Sequence, residues 1–333
     1  EYFILEDGDA KETILSMRFN ADILVRHGIQ FTFRNMRHSA TQRLVNHYLM
    51  ADGSKIQDQP GYETMTYNQQ FQNRDPRMAQ TLMAPGYVDL NGIDEVIEDC
   101  KSYDMTGYRF IKFVSDDTHN GATTSTTDWP VFRYPEILLT YAEAKAELGT
   151  LTPEDIALTV DVVRDRVGMP ALDMTAANNN PDPLMASYYP NVNSGANKGV
   201  ILEIRRERTI ELLQEGHRYY DLIRWKEGKT FTQPLLGLYI PSKGEYDLDG
   251  DGTPDIYLKT KGETPSTKAP LIMEIDQDIF LSEGDHGYIS PHKKNPGEWN
   301  EARDYYYPIP TDDRSLTGGA LTQNPGWNDG LDF

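Results

Sequence analysis

Between residues 135 and 148 apolar side chains return every third or fourth position: Ile137, Tyr141, Ala144 and Leu148 fall at i, i+4, i+7 and i+11. That period predicts an amphipathic helix with this stripe buried. Pro135 suits its first turn, and Gly149 suits the left-handed position past its end. A second helix is expected at once. Thr152 is placed to cap it, Pro153 opens it, and Glu154 and Asp155 complement the positive end of its dipole. Ile156, Val160, Val163 and Val167 are its expected buried stripe. So short a link folds the two helices back on each other as an antiparallel hairpin. Two more helical stretches run from Val200 to Gln214 and from Arg218 to Lys226, parted by Glu215-Gly216. Small alanines and a tyrosine on the first hairpin allow close helix approach, as in stacked tetratricopeptide-type units, without a strict repeat period.

Elsewhere the pattern is irregular. Residues 50–130 mix short apolar runs with Asp, Gly, Asn and Thr, and read as loops and short strands. Asn178 to Pro183 and Asn191 to Lys198 read as polar loops. Leu238-Tyr239-Ile240 and Ile256-Tyr257-Leu258 read as short strands. The expected fold is mainly α: a tetratricopeptide-like helical scaffold with irregular loops and short strands, one compact unit over 1–333. Long ordered loops of this kind are uncommon unless they carry function.

Composition narrows the function. The 333 residues carry 32 basic against 52 acidic side chains, a formal charge of −20. Phosphate backbones and anionic membrane surfaces repel such a chain, so no nucleic-acid partner is expected. No apolar run approaches the ~18 residues that a membrane span needs. Cys100 is the only cysteine, which excludes an internal disulfide and any multi-cysteine zinc site. The sequence contains 20 tyrosines and 4 tryptophans. Their flat faces and polar tips suit polyols as well as packing. Tyr62, Tyr67 and Tyr87, in irregular stretches, are the ligand-binding candidates.

The sharpest local motif runs from Asp247 to Asp255. Asp247, Asp249 and Asp251 alternate, Gly252 supplies a bend, Thr253 offers its carbonyl, and Asp255 completes an all-oxygen shell of the kind Ca²⁺ prefers. Leu258 stands where an EF-hand has its bidentate Glu, so a structural calcium ion is expected in a looser type of loop. The stretch from Glu203 to Gly216 is dense in charge. Glu203 with Arg206, and Arg208 with Glu211, are i,i+3 neighbours, and structural ion pairs are expected there rather than catalysis. Asp75 and Arg77 in Arg74-Asp75-Pro76-Arg77 are read as a structural turn. The nucleophile elbow, the zinc helix and the dinucleotide fingerprint are absent. Gly228-Lys229-Thr230 is not a phosphate loop, because Ile223 occupies the place of the required glycine. The histidines show no metal-ligand spacing.

Together the motifs resemble the SusD/RagB family. Phe132-Arg133-Tyr134-Pro135-Glu136-Ile137-Leu138-Leu139-Thr140-Tyr141-Ala142-Glu143-Ala144 is similar to its R-x-x-E-x-L-L-x-Y-A-E-A signature. Glu207-Arg208 with Glu211-Leu212, and then Glu215 through Trp225, resemble its E-R-x-x-E-L and E-G-x-R-x-x-D-L-x-R-W. Tyr307-Pro308-Ile309-Pro310 and Gln323-Asn324-Pro325-Gly326-Trp327 resemble its closing segments, and Arg74 to Arg77 and Thr106-Gly107-Tyr108 fit their usual places.

The resemblance implies a surface-exposed outer-membrane lipoprotein that binds glycans without catalysis and delivers them to a SusC-like TonB-dependent transporter. It also implies that the chain corresponds to the C-terminal portion of such proteins, with the first repeats and the lipidated N-terminal Cys outside it; Cys100 is not that anchor. Tyr87 gains weight because residues 77–106 correspond to a variable, ligand-facing stretch. Trp129, Tyr134, Trp225 and Trp327 are expected to pack. Peptide capture, as in the RagB branch, and glycoside hydrolysis are the alternatives.

Overall fold

A computed structural model describes residues 2–8, 11–92, 104–193 and 195–328; Cys100 lies outside the described residues, as does part of the 77–106 stretch. In chain order, β1 (Thr13–Met17) precedes the short helices α1 (Ile29–Asn35), α2 (Gln42–Val45), α3 (Tyr67–Phe71) and α4 (Pro76–Thr81), and then β2 (Trp129–Arg133). The helical centre holds α5 (Tyr134–Glu147), α6 (Pro153–Ala157), α7 (Val160–Asp165), α8 (Met174–Asn179), α9 (Pro183–Tyr188), α10 (Lys198–Glu211) and α11 (His217–Arg224). Then follow β3 (Tyr239–Ile240), β4 (Gly244–Tyr246), β5 (Ile256–Lys259), β6 (Leu271–Glu274), β7 (Gly287–Tyr288) and α12 (Thr311–Leu316). The chain is mainly helical, as expected. β1 pairs antiparallel with β2 and β3 with β7, while β4-β5-β6 form a mixed sheet whose β5–β6 pair is parallel.

Local chemistry sets the helix ends. Thr152 and Asp155 form a reciprocal capping box at α6, with Thr152 Oγ1 accepting from the Asp155 N–H at 3.2 Å and Asp155 accepting from the Thr152 N–H at 2.9 Å. Gly149 ends α5 at φ +69°. The second predicted helix is two. The chain breaks at Thr159, whose hydroxyl donates back to the Asp155 carbonyl at 2.6 Å, so Ile156 belongs to α6 and Val160 and Val163 to α7. Three stretches read as loop contain short helices, each started by a side-chain cap: Thr66 for α3, Asp75 for α4 and Asp182 for α9.

The buried face of α5 is the reverse of the predicted one. Leu138, Leu139, Ala142 and Ala146 turn inward, mainly against α10, while Ile137 and Tyr141 are about half exposed and Leu148 is 76% exposed. Both faces of this helix are apolar, so period alone could not choose between them; the outward row continues through Tyr134 to the paired Phe132 and Leu15. One core gathers α5–α7, α9, the first half of α10 and Trp225. A second gathers α2–α4, the strands after residue 238 and Ile210 at the end of α10.

Every residue of α10 from Gly199 to Glu211 is buried, its charges included. Glu207 takes Arg164 at 2.7 Å and Arg77 at 2.9 Å. Glu211 takes Arg133 and Arg166, each at 2.7 Å, and Glu215 takes Arg133 at 2.6 Å and Lys112 at 2.7 Å. Arg206 pairs with Asp182 at 2.5 Å and with Glu203 at 3.2 Å, the expected i,i+3 contact. Arg208 turns instead to Asp221 at 3.0 Å and Glu143 at 3.4 Å, because Glu211 faces the other cluster of cations. Asp75 and Arg77 act structurally: Asp75 caps α4 and pairs with Arg77 at 2.7 Å.

Burial alone would raise the pKa of Glu207, Glu211 and Glu215. The adjacent cations override it and hold all three below the ordinary carboxylate range. A depressed folded-state pKa adds stability that is complete above the unfolded value and lost as pH falls through the folded one. Urea midpoints are therefore expected to stay level from neutral pH down to about 5 and to fall below about 4.3. A midpoint that did not change on acidification would contradict this. Arg133→Met, which takes one cation each from Glu211 and Glu215 and leaves them to Arg166 and Lys112, should cost about 3 kcal/mol by urea unfolding at pH 7.

Candidate ligand cleft and acidic loop

A polar cleft of about 450 Å³ opens where α2, the Tyr62–Thr64 turn, the end of α9, the Gly228–Thr232 turn and β7 meet. Tyr62, Tyr188 and Tyr288 line it, with Arg43, Asn46, Glu63, Glu227 and Lys229 between them. Each ring is held by a polar partner. Asn46 Nδ2 donates to the Tyr188 hydroxyl at 3.0 Å, the Tyr288 hydroxyl donates to the Glu63 carbonyl at 2.9 Å, and Tyr62 donates to the Glu63 carboxylate at 3.2 Å. The Arg43 guanidinium covers the Tyr188 ring at 4.4 Å. Burial, with help from the Glu63 charge, pushes Tyr288 up to about 12, so its hydroxyl remains a proton donor at neutral pH. Burial also raises Glu227, although the Asn191 N–H at 3.0 Å and Arg205 at 3.3 Å oppose it. Tyr188 is itself sandwiched by Arg43 and His47 and offers its edge and hydroxyl. With the Tyr62 and Tyr288 rings, bordered by amides and both signs of charge, it makes a lining that suits a hydroxyl-rich ligand.

Of the three tyrosines singled out from sequence, Tyr62 is in this cleft. Tyr67 is not a surface residue. It is 1% exposed, its hydroxyl donates to the Met83 carbonyl, and its ring stacks on Tyr108 at 5.8 Å. It opens α3 on that helix's inward side and offers no face to a ligand. Tyr87 is half-buried beyond α4 and packs on the second core, away from the cleft lining. Tyr188, Tyr288 and Arg43 went unrecognised, since they come from three distant segments that only the fold brings together.

The acidic motif is the connection between β4 and β5. Carboxylate oxygens of Asp247, Asp249 and Asp255 lie within 4.8 Å of one another. Asp251 stays outside that group: its carboxylate accepts the Thr253 N–H at 2.7 Å and the Thr253 hydroxyl. Asp247 accepts the Gly250 and Gly252 N–H groups at 2.7 and 2.9 Å, and Asp255 accepts the Leu248 N–H at 2.7 Å. The turn needs its glycines. Gly250 has φ +83°, and a Cβ there would meet Asn68 Nδ2 at 1.9 Å. Partial burial first, then the charges of Asp249 and Asp247, raise the pKa of Asp255. Three crowded carboxylates form a hard-oxygen donor set that fits a divalent cation.

The aromatic motif residues mostly pack. Trp225 is buried between Arg205 and Arg224 at 4.4 and 4.9 Å, Trp129 stacks on Phe113 at 4.7 Å, and Trp327 lies under Arg303 at 4.7 Å. Tyr134 is the exception, 49% exposed at the start of α5. Gly228 lies against the Trp299 ring, which a Cβ would approach to 2.1 Å. This packing, rather than phosphate binding, is what Gly228 serves.

Residues 34–327 match the SusD family, and the chain belongs to it. Its fold is shared with a SusD-like protein from Bacteroides fragilis (TM-score 0.59, 22% identity, covering 96% of this chain and 55% of that one). A SusD-like carbohydrate-binding protein from the same organism is similar (TM-score 0.58, 20% identity, 92% and 53%). The chain thus spans just over half the length of these structures. No curated protein sequence matches it.

Tyr67→Ala should cost about 3–5 kcal/mol of stability by urea unfolding. Tyr62→Ala should stay within about 0.5 kcal/mol of the parent. The reverse ranking would contradict the burial of Tyr67.

Proposed function

We propose that this chain captures glycans in the Tyr62–Tyr188–Tyr288 cleft, without hydrolysing them, and hands them to a SusC-like TonB-dependent transporter at the outer membrane. Membership of the SusD family supports glycan binding. The observation that carries the reading is a cleft whose three rings are each anchored by a hydrogen bond and flanked by polar side chains. Attachment to the membrane would run through a lipidated Cys outside this chain; among the described residues no helix is long and apolar enough to cross a membrane. A calcium ion on Asp247, Asp249 and Asp255, with the Thr253 carbonyl, would brace the β4–β5 connection beside α3, where Asn68 Nδ2 already donates to the Asp249 carbonyl at 2.9 Å.

One observation favours a second reading. Glu63 and Glu227 both line the cleft, and a hydrolase would need two such carboxyl groups. Affinity electrophoresis through gels carrying different soluble polysaccharides, with a reducing-end assay on the same samples, separates the two. Retardation without new reducing ends is expected, weakened roughly two- to tenfold by Tyr188→Ala or Tyr288→Ala. New reducing ends that disappear in Glu227→Gln would establish hydrolysis instead, and retention of a peptide pool alone would establish peptide capture.

For the metal, EDTA should lower the melting temperature by several degrees and calcium should restore it, with Asp249→Asn insensitive to both. An unchanged melt together with no bound metal by elemental analysis would remove the ion from the proposal.

A further inference from the structure

The tyrosine cleft does not end at Arg43. Beyond that side chain a second cavity of about 280 Å³ opens between α2, α10 and α11. The two share Arg43, Thr230, Gln233 and Pro234 as walls. The second is lined by apolar side chains, among them Leu44, Phe110, Leu212 and Leu222, and the exposed 233–235 segment forms its rim.

Its charges are not balanced. Elsewhere in the protein Arg133, Arg164 and Arg206 each meet a carboxylate. Among the described residues Arg43 and Arg218, both in this wall, meet none. Arg43 donates to the Tyr188 carbonyl at 2.6 Å and to Thr230 Oγ1 at 3.4 Å, and its Nε is buried without a partner. Arg218 donates only to neutral oxygens, Thr209 Oγ1 at 3.0 Å and the Tyr189 hydroxyl at 2.9 Å. Both guanidiniums lie near one ring, that of Tyr189, at 5.9 and 5.4 Å.

The other charged groups here are already committed. Arg208 and Asp221 neutralise each other at 3.0 Å, His217 faces Glu136 at 3.8 Å, and Glu227 pairs with Arg205. His47 bonds to the Arg43 carbonyl and the Tyr189 hydroxyl, and burial together with the surrounding arginines keeps it neutral. Two half-buried guanidiniums without a carboxylate in contact, Arg43 with its Nε unpartnered and only the already paired Glu227 acting on it from a distance, leave this wall open to an anion. Gln214 Oε1, also buried without a partner, adds a free acceptor for a ligand hydroxyl.

We infer that this cavity is the anion subsite of the cleft: Arg43 and Arg218 take the carboxylate or sulfate of an acidic sugar by charge-assisted hydrogen bonds, while the neighbouring sugar lies against the tyrosines. The inference rests on the capture reading and narrows it to acidic glycans. The net charge of the protein works against non-specific attraction to such polymers, so retention must come from a local site.

The test uses paired polymers in affinity gels: polygalacturonate against its methyl ester, and dextran sulfate against dextran. Retardation by a charged polymer and not by its neutral twin is expected, with binding about tenfold weaker in Arg43→Gln and Arg218→Gln. Whichever pair discriminates identifies carboxylate or sulfate as the group bound. Retardation by neutral polymers alone, or equally by both members of a pair, would overturn the subsite while leaving glycan capture standing. Retardation by none of these, nor by any of the other polysaccharide gels, would overturn both.

Since Arg218 also bridges Thr209 and Tyr189, its variant needs a check that does not depend on folding. Arginine labelling of the unmutated protein by phenylglyoxal, read by peptide mass spectrometry, supplies it. Protection of Arg43 and Arg218 by oligomers of whichever charged polymer is retained is expected. Equal labelling with and without those oligomers would overturn the assignment.

Discussion

A helix buried on every side is ordinarily apolar on every side, and α10 is not. It carries Glu203, Arg205, Arg206, Glu207, Arg208 and Glu211 into the interior, and each must be met there or the helix is not tolerated. The partners come from α4, β2, α5, α7, α9 and α11, so one helix sets the position of nearly every neighbour. Well-packed hydrophobic residues could provide similar stability. What ions add is discrimination: sliding a neighbour by one turn would leave a guanidinium facing a carbonyl or another cation. The two hydrophobic cores sit at opposite ends of this helix, and the ionic rows join them.

Signals within one turn of chain were legible. The Thr152 cap, the Gly149 stop and the strand-like character of Leu238-Tyr239-Ile240 and Ile256-Tyr257-Leu258 all reappear, because each depends on atoms a few residues apart. Facing was not legible. Leu138 and Leu139 are as apolar as Ile137 and Tyr141, and which pair turns inward is decided by α10, some 60 residues later in the chain. Arg208 followed the same logic: its i,i+3 neighbour was available, but Asp221 and Glu143 arrive from other helices and Glu211 is claimed elsewhere. The short helices at Thr66, Asp75 and Asp182 were missed because Asn, Pro and Gly around them looked like loop, although their capping residues were in plain view.

The same divide runs through the site. The acidic connection was recognisable because its carboxylates are close in sequence; only the turning of Asp251 toward Thr253 required the structure. The cleft draws on residues from 42 to 288, and no local pattern joins Arg43 to Tyr188 or Tyr288. Tyr62 was reachable through its loop setting, and Tyr67, five residues on, shows how little that setting decides once a helix turns a ring inward.

The outward apolar row of α5, continued through Phe132 and Leu15, is a kind of surface whose interactions salt controls. Two such faces attract at contact range, while a charge of −20 holds molecules apart over about 10 Å at 0.1 M salt. At 1 M the screening length shrinks to about 3 Å, and the apolar attraction is left almost unopposed. Salt thus strips the charge barrier from such a face, while buried ion pairs like those of α10 are screened much less.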